Sequence, residues 1–143
     1  MSFQVLLFYK YVHIENPDQV KDEYLALCKK YNLIGRTIVA HEGINSSVEG
    51  TVEDTESFLK EFLLDPRFSD MQIKRSKGNG TSFPRLSVKV RKEIVATQFG
   101  NEIDPTKETG KYLKPEELNS WYRNEKDFVV VDMRNSYEYE SGH

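Results

Sequence analysis

The sequence predicts an α+β fold with its elements in the order β-α-β-β-α-β, followed by one added strand. Two observations support this prediction. Short runs rich in β-branched and aromatic residues recur along the chain, as is typical of strands. Between them, two stretches carry apolar residues at helical spacing, and each begins with a helix N-cap signal. With 38% hydrophobic residues the chain has enough apolar side chains to form a core.

The first strand and the first helix have clear local signals. Residues 4–13 are dense in β-branched and aromatic residues and predict a strand. Asn16 is the expected N-cap of the helix, with Pro17 at its first position and Gln19 at the capping-box position. We expect Gly35 to mark the stop after this helix. The apolar stripe facing the core consists of Val20, Tyr24, Leu27, Cys28 and Tyr31.

Two further strands and a second helix follow. Residues 36–40 and 45–49 predict strands joined by a turn at residues 41–43. Thr51 is the expected N-cap of the second helix, with Asp54 at the capping-box position, and the helix is expected to end at residues 65–66. Its apolar face is predicted to consist of Val52, Phe58, Leu59, Phe62 and Leu63.

The last two strands of this region complete the pattern. Residues 71–75 alternate as a strand, residues 76–84 form a loop, and Leu86, Val88 and Val90 alternate with polar residues in the added strand. The resulting order is the ferredoxin-like βαββαβ arrangement with one extra strand. We therefore predict a ferredoxin-like domain over residues 1–97, which is long enough to form its own core.

The remainder of the chain has a different character. Residues 98–113 are mostly polar, contain helix and strand breakers, and predict a linker. In residues 114–143, Pro115 opens a helix that runs through Trp121 and Tyr122. The apolar run at residues 128–131 then predicts a strand buried on both faces of a parallel sheet. Residues 114–143 are therefore expected to be the incomplete beginning of a second, α/β domain.

Composition excludes several classes of protein. The N-terminus lacks the basic region of a signal peptide, and Lys10 interrupts its apolar stretch. No segment approaches the length of a membrane span. Cys28 is the only cysteine, so internal disulfides and zinc sites built from several cysteines are excluded. These features predict a cytoplasmic protein without a membrane partner.

The main electrostatic feature is the basic segment, residues 71–92. It holds seven of the 20 basic residues and none of the 23 acidic ones, so the rest of the chain has 13 basic and 23 acidic residues, a net charge of −10. Two basic strands around a glycine-containing loop, with Phe83 beside it, are suited to hold a phosphate backbone and stack a base. The alternative is a solvated face whose lysines protect an edge strand. The candidate RNA-binding residues are Lys74, Arg75, Lys77, Arg85, Lys89, Arg91 and Lys92.

Other polar residues are interpreted as structural, and none is assigned as catalytic or metal-binding. His41, Glu42 and Asn45 are too few ligands for a metal and are expected to form a turn. Cys28 lies on the apolar helix stripe and is expected to be an inert core thiol. Tyr9 and Tyr11 share one strand face and are expected to pack. An acylphosphatase-like site is excluded because the loop at residues 13–17 is acidic and has no arginine.

The final residues carry a motif. Asp132, Arg134, Glu138, Tyr139 and residues 142–143 form the pattern D-x-R-x-x-x-E-Y-x-x-G-H after the apolar run. This pattern resembles the start of a rhodanese domain, the fold of sulfurtransferases. Arg134 is expected to pair with Glu138, and the glycine at position 142 to allow a tight bend. In that family the working cysteine lies in a loop much farther along, so the resemblance implies a fragment without the catalytic loop.

Several motifs in a fixed order sharpen this resemblance. They lie at residues 35–40, 42–45, 65–68, 83–86, 89–90, 92–95 and 110–115. Together they resemble the bacterial rhodanese-related tRNA uridine hydroxylase family, in which a ferredoxin-like domain precedes a rhodanese domain. The resemblance implies oxygen-dependent formation of 5-hydroxyuridine at the wobble position, with tRNA as partner and molecular oxygen as co-substrate. No other cofactor is identifiable. Arg85, Lys89 and Lys92 fall within the motifs, whereas the other four candidates rest on charge alone.

Two alternatives stay open at this point. A rhodanese fold with a cysteine is typical of a sulfurtransferase, and the sheet is also compatible with a non-enzymatic protein-interaction module. As an N-terminal fragment, the chain is expected to be inactive as a hydroxylase or sulfurtransferase. Residues 114–143 are expected either to be mobile or to pair with the first domain or with another copy of the chain.

Overall fold

The computed structural model describes residues 2–96, 107, 110–134 and 136–140, without the side chains of residues 137 and 138. The chain divides into two compact units, Met1–Thr109 and Gly110–His143. All strands found among the described residues belong to the first unit.

The first unit is built on a mixed five-stranded sheet. Its elements are β1 (Phe3–Tyr11), α1 (Pro17–Lys30), β2 (Ile34–Ala40), β3 (Gly43–Thr51), α2 (Val52–Phe62), β4 (Lys74–Gly78) and β5 (Leu86–Val90). The strand order is β4-β1-β3-β2-β5, and all neighbours are antiparallel except β2 and β5. The predicted α+β class and the ferredoxin-like order with one added strand are confirmed.

One face of the sheet carries the core. Leu6 and Phe8 of β1, Val39 of β2, and Ile44 and Val48 of β3 are fully or almost fully buried. Within one strand these residues are an even number of positions apart, as the two-residue period of a strand requires. Residues from α1 and α2 pack into the same apolar cluster, including the contacting aromatic rings of Tyr24, Phe58, Phe62 and Phe68. We call this the helix face of the sheet and the opposite side the open face.

Both helices of this unit begin where the sequence predicts. Asn16 accepts a hydrogen bond from the backbone N–H of Gln19 at 3.1 Å, which caps α1. Thr51 accepts from the backbone N–H of Asp54 at 3.1 Å, and its hydroxyl donates to the Asp54 carboxylate at 2.7 Å. These contacts satisfy N–H groups that have no partner within the helix.

Several expected element boundaries are wrong. Helix α2 ends at Phe62 and not at residues 65–66. Helix α1 ends before Asn32, which takes the left-handed conformation (φ 53°), whereas Gly35 lies inside β2. The fourth strand begins at Lys74 and not at residue 71, because Met71 and Ile73 pack against the core before it.

The apolar face of α2 also differs from the prediction at the start of the helix. Val52 is 39% exposed, although it was expected to face the core. The buried position near this end of the helix belongs to Thr55, whose hydroxyl donates to the Thr51 carbonyl at 2.7 Å. A threonine can be buried here because the helix backbone accepts its proton.

The second unit contains α3 (Pro115–Arg123) and α4 (Ser136–Glu140). The predicted helix from Pro115 is confirmed, but the run at residues 128–131 is not a strand. Residues 110–134 and 136–140 include no strand that would hydrogen bond to it, and a strand needs such a neighbour. Phe128 instead packs on Trp121 and Tyr122, with ring centroids 5.5 and 4.9 Å apart, and the three valines that follow it are 62–85% exposed.

Asp132 and Arg134 of the D-x-R motif form a local ion pair. Arg134 Nη2 lies 2.6 Å from Asp132 Oδ2, and the Arg134 backbone N–H donates to Asp132 Oδ1 at 3.0 Å. The expected partner of Arg134 was Glu138, whose side chain lies outside the described residues, as does the predicted bend at residue 142.

Candidate nucleic-acid interface

The basic segment does not form one continuous surface. Its two strands, β4 and β5, are the opposite edges of the sheet, with β1, β3 and β2 between them. Four strand spacings separate them, which corresponds to roughly 19 Å. The expectation that the two basic strands lie together around their loop is therefore wrong, because each pairs with a different interior strand.

On the β4 edge, the candidate residues are divided between the two faces. Arg75 and Lys77 pair in register with Leu6 and Gln4, which places both on the helix face. The Arg75 guanidinium donates to the carboxylate of Glu56 in α2, with Nε 2.9 Å from Oε1. Hydrogen bonds from Arg75 and then from Gln4 lower the pKa of Glu56. Of the β4 candidates, only the lysine at position 74 pairs with an open-face residue of β1.

The β5 edge holds a basic cleft of about 390 Å³ on the open face. We call it the β5 cleft. Its basic residues are Arg36, Arg85, Lys89 and Arg91, and its other lining residues are Gly35, Thr37, Ile38, Phe83, Pro84 and Ser87. No acidic residue is found among these described lining residues. Lys92 follows β5 but does not line the cleft.

The register of β2 and β5 explains the cleft. Leu86 and Val88 of β5 pack against the core, so Ser87 and Lys89 face the other way. Arg36 of β2 pairs with Ser87. Since the two strands are parallel and in register, Arg36 is brought beside the β5 cations from a distant part of the sequence.

The sequence does not single out Arg36 as a binding residue, because it lies outside the basic segment. The sequence predicts a strand at residues 36–40, but nothing local indicates which strand pairs with it. The parallel pairing of β2 with β5 is a long-range contact, and it alone makes Arg36 part of the cleft. The cleft can therefore bind an anion with four cations from two strands and their flanking residues, beside the half-buried ring of Phe83.

The loop between β4 and β5 is held by a buried carboxylate. Glu49 is fully buried and accepts hydrogen bonds from the backbone N–H groups of Asn79, Gly80 and Ser82 at 2.8–2.9 Å. The Ser82 hydroxyl donates to the same carboxylate at 2.8 Å. Burial by itself would raise the pKa of Glu49, but these hydrogen bonds outweigh it, and the pKa is lowered. The loop that leads toward Phe83 is thereby anchored to β3.

His41 and Glu42 form a turn before β3, as predicted. His41 Nδ1 lies 2.9 Å from the Ile14 carbonyl oxygen, Glu42 accepts from the Ile94 N–H at 2.6 Å, and Asn45 donates to the Ile94 carbonyl at 3.1 Å. In the part of the chain that the structure describes, no group of three or more His, Cys, Asp or Glu residues is placed to hold a metal ion.

The loop after β1 also differs from a phosphate-binding loop. The backbone N–H groups of Val12 and Ile14 donate to the carbonyls of Glu42 and His41 at 2.9 and 2.8 Å. These two donors are therefore used within the fold.

Cys28 is a buried core thiol, as predicted. Burial raises its pKa to about 12, although a hydrogen bond with Tyr24 acts in the opposite direction. The Tyr24 hydroxyl lies 2.7 Å from Ser46 Oγ, which in turn lies 2.8 Å from Thr37 Oγ1. This polar chain is enclosed by the core.

Among the described residues, no helix is long and apolar enough to cross a membrane.

The five-stranded sheet with two helices on one face defines a ferredoxin-like α+β domain. The model of the UPF0176 acylphosphatase like domain matches residues 3–94, and the chain belongs to this family. The family description concerns the domain type and agrees with the observed strand order.

The resemblance to tRNA uridine hydroxylases is confirmed by curated relatives. A tRNA uridine(34) hydroxylase from Bacillus licheniformis is 47% identical over 99% of this chain and 44% of its own length. One from Staphylococcus aureus is 42% identical over 100% of this chain and 45% of its own length. The chain therefore spans a little under half the length of these relatives.

A solved structure supports the fold alone. The BLUF structure of BlrP1 matches with a TM-score of 0.52 and 20% identity, covering 64% of this chain and 66% of the other.

Proposed function

We propose that the whole protein hydroxylates the wobble uridine of tRNA to 5-hydroxyuridine, with molecular oxygen as co-substrate. The observation that carries this proposal is the 47% identity to a tRNA uridine(34) hydroxylase across 99% of this chain. A protein with this activity would meet its tRNA substrate in the cytoplasm.

Within that activity, the first unit would bind tRNA through the β5 cleft. Arg36, Arg85, Lys89 and Arg91 converge there without an acidic neighbour in the described lining. Cations in such an arrangement attract phosphates, which supply much of the affinity of proteins for nucleic acids. Of the seven predicted binding residues, the proposal retains Arg85, Lys89 and Arg91 in the cleft and adds Arg36.

The described residues offer binding groups rather than a reactive thiol. Cys28 is buried in the core, with its pKa raised to about 12, so little thiolate is present at neutral pH. We expect residues 1–143 alone to show neither hydroxylase activity on unmodified tRNA nor thiosulfate–cyanide sulfur transfer. Turnover that Cys28→Ser abolishes would contradict this expectation.

The activity is tested by mass analysis of tRNA nucleosides from a strain that lacks the gene. The expected result is loss of 5-hydroxyuridine and its derivatives, restored by the wild-type gene. Loss of a thiolated nucleoside with 5-hydroxyuridine intact would instead favour the sulfurtransferase alternative and overturn the proposal.

The role of the cleft is tested in the same strain. A gene carrying Arg36→Ala and Lys89→Ala should restore less 5-hydroxyuridine than the wild type at equal protein level. The matched control carries Lys60→Ala and Lys77→Ala, which remove the same charge from exposed positions away from the cleft. Equal restoration by both double variants would contradict the cleft's role.

A further inference from the structure

The open face of the sheet carries exposed apolar side chains on an interior strand. Leu7 and Tyr9 of β1 are 43% and 47% exposed, although β1 lies between β4 and β3. Their neighbours Leu6 and Phe8 point to the helix face and are buried. The rings of Tyr9 and Tyr11 pack edge to face, with centroids 6.4 Å apart, as the sequence predicts. Nearly half of Tyr9 nevertheless remains accessible.

The strand registers align these residues with the basic residues of both edges. One row across the open face consists of Lys74, Leu7, Ser47, Arg36 and Ser87. The next row consists of Tyr9, Asn45, Ile38 and Lys89. Residues of one row lie on the same face because their strands are paired at these positions. The two rows hold three cations and, among these nine described residues, no carboxylate.

Two segments border this area. At one end, a Cβ at Gly80 would lie 2.9 Å from the Phe3 ring, so the loop held by Glu49 lies against Phe3. At the other end, Asn45 donates to the Ile94 carbonyl, which places the segment after β5 against the face. The accessible residues between these borders include Leu7, Tyr9, Arg36 and Lys89. We call this area the open-face band.

Negative charge lies beyond the second border. Burial, and then the charges of Glu42 and Glu93, raise the pKa of Tyr11. These carboxylates therefore lie near Tyr11, the last residue of β1, two positions beyond Tyr9 of the band. They would repel a phosphate there. The cations of the band and the carboxylates beyond it favour an anionic ligand that occupies the band alone.

We propose that the open-face band binds a single-stranded segment of RNA, with a base stacked on Tyr9 and phosphates held by Arg36 and Lys89. This inference rests on the proposed function, and it specifies which form of RNA the site takes. An accessible aromatic ring on a sheet stacks an unpaired base, whereas the bases of a duplex are already stacked on one another. The three cations of the band match a polyanion better than an apolar protein surface.

The test measures binding of the whole protein to a labelled single-stranded RNA and to a duplex of the same sequence by fluorescence anisotropy. Tyr9→Ala should weaken single-strand binding by about 5- to 150-fold, as expected when one base no longer stacks. The duplex affinity and the salt dependence should change little, because no charge is removed. Tyr9→Phe should bind like the wild type, whereas Tyr9→Leu, which stays apolar, should bind weakly.

Tyr112→Ala serves as the matched control, since it removes an 81% exposed tyrosine from the second unit. Circular dichroism checks that each variant is folded. Wild-type single-strand affinity in Tyr9→Leu would overturn the proposal and indicate that the face packs against another protein segment. If that result accompanies weakened binding in Arg36→Ala/Lys89→Ala, the proposed function stands without the stacking site. If neither change weakens binding, the role of the cleft in the proposed function fails as well.

Discussion

Glu49 shows how a single buried charge is stabilised. Its carboxylate receives three backbone N–H groups and one hydroxyl from the loop between β4 and β5, so its desolvation is compensated. Glu49→Gln would turn an amide NH₂ toward some of these donors. We expect the free energy of unfolding to fall by about 1–3 kcal/mol, measured by urea denaturation at neutral pH. The exposed Glu53→Gln is the control, and an equal effect in both variants would contradict the assignment.

The same hydrogen bonds give this effect a pH dependence. The pKa of Glu49 is lower in the folded state than its ordinary value of 4.5, so the folded state favours the ionised form. The stabilising contribution is therefore complete above pH 4.5 and is lost as the pH falls through the folded-state pKa. The stability difference between the wild type and Glu49→Gln should accordingly shrink on acidification below that value.

Cys28 provides a second test at this scale. Its burial and its pKa of about 12 predict that a thiol reagent at mildly alkaline pH labels the unfolded protein but not the native one. The measurement is the rate of labelling with and without denaturant. Rapid labelling of the native protein would show that the thiol is accessible. Cys28 is the only cysteine in the chain, so any signal from residues 1–143 belongs to it.

At the scale of elements, Gly35 determines how closely β2 approaches β3. Its φ is 149°, and a Cβ there would lie 2.2 Å from the Ser47 carbonyl oxygen. Since that atom belongs to the backbone, Gly35→Ala should lower the free energy of unfolding by roughly 1–3 kcal/mol. Gly110→Ala is the control, because a Cβ there would meet nothing within 4 Å. Thermal unfolding compares the two variants, and equal midpoints would show that β2 can shift to accept the methyl group.

Residues 128–131 illustrate an apolar run without a pairing strand in the described part of the second unit. Val129, Val130 and Val131 are 85%, 62% and 72% exposed and do not form a strand. Their amide hydrogens should therefore exchange much faster than those of β3, which is hydrogen bonded on both sides. Hydrogen exchange of residues 1–143 at low concentration measures this difference. Protection equal to that of β3 would indicate pairing with another segment or another copy.

Local signals and long-range contacts explain how far the elements could be predicted. The caps at Asn16 and Thr51 depend on neighbouring residues, so both helix starts were predictable. The start of β4 depends on how Met71 and Ile73 reach the core, and its predicted start was too early. The position of Arg36 depends on the pairing of β2 with β5, which local patterns do not reveal. The candidate site was therefore only partly predictable from the basic segment.

At the scale of the whole molecule, the separation of β4 and β5 divides the positive charge. The β5 edge has an accessible basic cleft, whereas on the β4 edge Arg75 is paired with Glu56 and Lys77 points to the helix face. The seven basic residues of the basic segment thus do not act as one surface. This difference allows the cleft to be tested against exposed lysines on the helix side of the sheet at constant net charge.

The final prediction compares two double variants of the whole protein in tRNA binding at several salt concentrations. Lys89→Ala/Arg91→Ala should weaken binding similarly for different tRNA sequences, because phosphate contacts carry no sequence information. Removal of each phosphate contact should flatten the slope of log affinity against log salt by roughly 0.7–0.9, since fewer counterions are released. Lys60→Ala/Lys77→Ala removes the same charge from the helix side and should leave the slope unchanged. If both variants flatten the slope of log affinity against log salt to the same extent, with the fold intact, general charge rather than the β5 cleft attracts tRNA.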